Sequence, residues 1–182
     1  MVAAGCAAIA AFTLVAGPPE GVREVVDGTP FAPSRDLFTA TDLADALAEM
    51  HDVLEADASG VAEVNIHRDH LSALVVPADA GHDYDRYSYV FGAVESDVEA
   101  IDWPDSLVKA APFSLDSVEP VVVERLAQDV LAESGLTHPE VTHLIVRGDE
   151  AGEVTFSVYV DGRVQSARVV ADSSGDVVEV YR

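Results

Sequence analysis

The chain has 182 residues, 49% of them hydrophobic, with 33 acidic and 10 basic side chains for a formal charge of −23. That apolar fraction supplies a core and excludes wholesale disorder. The charge excludes a nucleic-acid backbone or an anionic lipid surface as partner, because both would be repelled. Among the basic residues only Lys109 is a lysine, which fits either a salt-adapted surface or a GC-rich genome.

Residues Val2 to Gly17 form a charge-free apolar run that ends at Pro18-Pro19-Glu20, where a helix must stop. The run is shorter than the roughly 20 residues a spanning helix needs, and no basic n-region precedes it. We read residues 1–17 as an export signal or membrane anchor, with a buried N-terminal helix as the alternative. Cys6 is the only cysteine, so an internal disulfide and a thiolate zinc site are excluded. Ala3-Ala4-Gly5-Cys6 resembles a bacterial lipobox and makes Cys6 a lipidation candidate. Ala3 replaces the usual leucine, and the residues after Cys6 stay apolar. Cleavage after Ala16 is a further option.

Residues 18–36, rich in proline and glycine, read as a linker. A first helix is expected from Thr41 to Ala56, capped by Thr39, with Leu43, Ala46, Leu47, Met50 and Leu54 on one face. Strands are expected at Ala62–His67, Leu71–Val76 and Tyr84–Val94. A second linker, residues 99–112, contains Trp103 and Pro104. Ser117 then caps a helix with Pro120 in its first turn, an apolar stripe of Val118, Val122, Leu126 and Val130, and a stop at Gly135. Strands follow at about Val141–Arg147, Glu153–Val160, Arg163–Ala171 and Val177–Tyr181. Asp161-Gly162 reads as a two-residue hairpin turn. The expected fold class is α+β: two tandem modules, residues 37–98 and 113–182, each one helix packed on its own small antiparallel sheet.

The helix Ser117–Gly135, the long strand Val154–Val160 and the closing stretch Val169-Val170-Ala171-Asp172-Ser173-Ser174-Gly175-Asp176-Val177-Val178 resemble the PepSY domain. The likeness covers about residues 117–181; the first module, without an Asp…Gly closing segment, matches only weakly. The resemblance implies an exported module, often near a membrane, that restrains peptidases or serves as an interaction unit. It implies no catalytic residues.

The residues themselves point to little chemistry. His67, His70, His82 and Asp83 are metal-ligand types close in sequence, but Arg68 stands between the first two and the spacing is that of a polar turn. No metal and no cofactor are assigned. His138 and His143 have no Gly-x-Ser-x-Gly elbow to serve. The pairs Asp83/Asp85 and Asp102/Asp105 lack the apolar surroundings that raise a carboxyl pKa. Gly148-Asp149-Glu150-Ala151-Gly152 is a turn whose acids repel phosphate.

Tyr87, Tyr89 and Phe91 share one strand face, as core beneath the helix or as an aromatic binding surface. Trp103 plugs the junction between modules or adds to that surface. The resulting expectation is a non-enzymatic extracytoplasmic protein, anchored or secreted. It acts through protein–protein contact on an acidic surface around Asp83 and Asp85, with an envelope protein or peptidase as partner. The alternative is a small-ligand or metal-ion binder using a cleft between the modules.

Overall fold

The computed structural model describes residues 35–54, 58–77, 84–90, 92–97 and 111–182. Helix α1 (Ala40–Leu54) starts where Thr39 Oγ1 accepts the Asp42 amide at 3.4 Å, and the predicted face Leu43, Ala46, Leu47, Met50 and Leu54 is buried. Strands β1 (Ala58–His67), β2 (His70–Pro77), β3 (Asp85–Val90) and β4 (Ala93–Asp97) follow as an antiparallel meander. The single strand expected over Tyr84–Val94 is two strands. Gly92, at φ 84°, takes the left-handed conformation that reverses the chain there.

A 3₁₀ turn (Leu115–Ser117) precedes helix α2 (Pro120–Glu133). Ser117 therefore ends that turn and caps nothing; α2 opens on Pro120, whose missing N–H would have had no helical partner anyway. Val122, Leu126 and Val130 are buried as expected, together with Val123 and Ala127, and Gly135 ends the helix at φ 64°. Strands β5 (Glu140–Gly148), β6 (Val154–Asp161), β7 (Ser166–Ala171) and β8 (Val177–Tyr181) form a second meander.

Asp161-Gly162 is not a two-residue turn. Asp161 pairs with Ser166 across a loop, closed by a 2.8 Å bond from Gly162 N–H to the Gln165 carbonyl. Arg163 N–H also bonds the Thr137 carbonyl at 3.2 Å, so contact with the α2–β5 connection shapes this loop. The β5–β6 and β7–β8 turns share a different solution. Asp149 and Asp172 each accept backbone amides two and four residues on, and Gly152 and Gly175 adopt φ 81° and 82°.

The expectation of two tandem modules is corrected by the sheet. All eight strands belong to one antiparallel sheet in the order β4-β3-β2-β1-β5-β6-β7-β8, and the described residues belong to one compact unit. The α+β class holds; separate sheets do not. The physical reason lies in the edges. In two separate meanders β1 and β5 would each expose a row of unpaired N–H and C=O groups. Paired in register from Glu63↔Arg147 to His67↔His143, they satisfy each other.

Both helices lie on the same face, α1 over β3 and β4 and α2 over β5 and β6, in contact with each other. Beneath them Val64, Ile66, Leu71, Leu144, Val146, Phe156, Val158 and Val169 form one core across the seam between β1 and β5.

Candidate binding surfaces

Alternation along the strands sends every second side chain to the face opposite the helices. On that face the register lines up His70, His67, His143, Tyr159, Arg168 and Tyr181 across six strands. Their rings stack. Centroids of His70 and His67 lie 4.2 Å apart, those of His67 and His143 5.2 Å, and those of His143 and Tyr159 4.3 Å, with interplanar angles of 9°, 18° and 9°. The Arg168 guanidinium lies 4.3 Å from the Tyr181 ring centroid and continues the row. A second open-face pair crosses the same seam, with Arg147 Nη2 2.6 Å from Glu63 Oε2.

Hydrogen bonds set the tautomers of the flanking imidazoles. The Thr142 hydroxyl donates to the Tyr159 carbonyl at 3.2 Å, so its 3.0 Å contact with His143 Nδ1 requires that nitrogen to donate. Likewise His70 Nδ1 donates to the Asp69 carboxylate at 2.8 Å. Burial, and then the charges of His70 and His143, lower the His67 pKa, while Asp69 opposes the shift. Burial lowers that of His143 as well, against the pull of Asp161. The bond from His70 holds Asp69 below the ordinary carboxylate value.

Stacked rings keep their in-plane lone pairs in separate, nearly parallel planes, an arrangement unlike ligands converging on one ion. Among the described residues no three His, Cys, Asp or Glu side chains converge as a metal site. His82 and Asp83, the other metal-ligand candidates, lie outside the described residues.

The helix side has a different character. A groove of about 380 Å³ runs between α1 and the start of α2, floored by Leu47, Leu115 and Val118 and edged by Asp52 and Asp116. His51 Nε2 stands 3.6 Å from Asp116 Oδ1 across it. Asp45, Asp52, Asp116, Glu119, Asp129 and Glu133 are all exposed along this layer. So are Val53 (49%) and Val121 (62%), each next in sequence to a residue lining the groove.

Of the aromatic residues singled out from the sequence, Tyr89 is 1% exposed, within the core, and its hydroxyl accepts from Arg35. Tyr87 is partly buried against the same core. Phe91, Trp103 and Cys6 lie outside the described residues. The sequence reading missed His143, Tyr159, Arg168 and Tyr181 as a group. The signal was present in part, since Tyr159 alternates with Val158 and Val160. What it lacked was the β1–β5 register that brings His67 beside His143. The Leu47–Leu115–Val118 groove carried no local signal.

Among the described residues, fold and surfaces together define a two-layer α+β unit, two helices on one antiparallel sheet, with an acidic groove on one side and a stacked ring row on the other. No family model matches the chain, and no curated protein matches it. It is similar in fold to a solved structure from Clostridium difficile 630 described as a "putative lipoprotein", at 14% identity and a TM-score of 0.56, over 85% of this chain and 95% of that one. Among the described residues no helix is long and apolar enough to cross a membrane.

Proposed function

We propose that this is a non-enzymatic extracytoplasmic binding protein that acts through protein–protein contact, and that its helix-side groove receives a cationic, amphipathic segment of the partner. One observation carries the reading: an apolar floor of Leu47, Leu115 and Val118 rimmed by Asp52 and Asp116, on a protein of charge −23. An apolar groove with an acid rim complements a segment that alternates leucine-like and lysine- or arginine-like residues. The apolar leader and the lipoprotein neighbour support the extracytoplasmic placement. The PepSY-like pattern of residues 117–181 supports an interaction unit, with an envelope protein or peptidase as partner.

The test is stopped-flow binding of a synthetic amphipathic leucine–lysine helix to the full chain. Association is expected to slow as salt shortens the Debye length below about 10 Å. It should also slow several-fold at low salt in the double variant Asp52→Asn/Asp116→Asn, because steering follows the local charge. A rate unmoved by both salt and substitution removes the groove as the contact. For the placement, protease added to wall-stripped cells should digest the protein; full protection removes the extracytoplasmic reading.

A further inference from the structure

The two four-stranded halves join through a short seam whose pairs run from Glu63↔Arg147 to His67↔His143. On the face opposite the helices its two ends differ in chemistry. One end is the Glu63–Arg147 ion pair at 2.6 Å; the other is His67 against His143, with His70 stacked on the far side of His67. We propose that this second end is a proton-operated latch: uncharged, the His70–His67–His143 column holds the seam closed beside the β1–β2 turn, and proton uptake by the column loosens it. The latch is independent of the binding role.

The column is most stable while no two adjacent imidazoles are charged. Because Nδ1 of His70 and of His143 already carries the proton given to Asp69 and to Thr142, the next proton on either ring enters at Nε2 and makes an imidazolium. A charge on either flank, 4.2 Å away at His70 or 5.2 Å away at His143, repels one on His67 between them. The groups around the column do not cancel this. Asp69 in the turn and Asp161 at the end of β6 attract protons to it, and Asp161 itself pairs across strands with Glu140. Arg68 is held 2.5 Å from Asp36 and lies over Phe38. Arg168 stands across from Tyr159 on β7 and stacks on Tyr181. Burial and the neighbouring imidazoles outweigh the two aspartates, so the folded chain resists protons that the unfolded chain accepts.

The sign follows. His67 and His143 titrate below the ordinary histidine value of 6.5 when folded. The stability they contribute is therefore complete above that value and is lost as pH falls through their lowered folded pKa values.

Hydrogen exchange of the full chain at pH 7.5 and pH 5.0, compared as protection factors, tests the latch. Amides of 64–72 and 141–146 are expected to lose about tenfold or more of their protection at pH 5.0, while those of 156–160 keep theirs. The double variant His67→Phe/His143→Phe retains stacking rings without the protons and should keep its seam protection at both pH values. Equal loss in wild type and variant, or no loss in wild type, overturns the proposal. Should the variant not fold, the wild-type imidazole signals decide. His67 is expected to titrate below the ordinary histidine value, with a midpoint that moves when His70 alone is replaced by phenylalanine; an ordinary, independent His67 midpoint overturns the latch.

Discussion

Replacing Phe156 with alanine is expected to destabilise the protein by about 3–5 kcal/mol, read as a shift of the urea midpoint at unchanged slope. Phe156 is 1% exposed, in the middle of β6 on the helix-covered face, with Val146 and Ala171 as its cross-strand partners. Alanine would remove most of a ring from a place where three strands and the core around α2 meet, and the backbone of a sheet interior cannot collapse to refill it. For a chain of this size the loss amounts to a fall in Tm of roughly 10 °C. Phe156→Leu keeps much of the volume and should cost only about 1–1.5 kcal/mol. Val164→Ala, at a position 90% exposed, should change stability by less than about 0.5 kcal/mol. A Phe156→Ala cost as small as that of Val164→Ala would mean that Phe156 is not packed in the core between β5, β7 and α2.

Gly148→Ala should be comparably severe for a different reason. A Cβ at Gly148 would sit 2.1 Å from the Ala111 carbonyl oxygen, and neither atom belongs to a side chain that could rotate away. The segment entering α2 would have to lift from the end of β5. That would break the 3.1 Å bond from Ala111 N–H to the Asp149 carbonyl and strain the paired bonds between Val61 and Phe113 at 2.8 and 2.9 Å. Gly60, where a Cβ would lie 2.8 Å from Pro112 Cβ, flanks the same crossing on β1. We expect a loss of at least about 3 kcal/mol or failure to fold. Gly152→Ala serves as the comparison. Its nearest neighbour is 3.7 Å away, and only its φ of 81° opposes alanine, for about 1 kcal/mol. Chemical unfolding of both variants checks the order. Gly152→Ala proving the worse of the two would show that residues 111–113 do not press on β5.

Sequence alone determined the elements whose signal is local. The α1 face Leu43, Ala46, Leu47, Met50 and Leu54 and the α2 stripe Val122, Leu126 and Val130 follow from a period of 3.6 residues, and both are buried. The inward set Val154, Phe156, Val158 and Val160 follows from a period of two, and it too is buried. Local signals failed where a neighbour distant in sequence intervened. Gly162 looked like half of a two-residue turn until the Thr137 carbonyl took the Arg163 amide. Ser117 looked like a helix cap, but the chain folds through a 3₁₀ turn first and begins α2 on Pro120. The largest decision was left to tertiary structure. Alternation specifies which face of a strand is buried but not which strand lies beside it, so two sheets and one sheet predict the same pattern of valines. Pairing β1 with β5 satisfies two rows of backbone groups at once, and that long-range hydrogen bonding, invisible in composition or period, joins the halves and brings His67 beside His143.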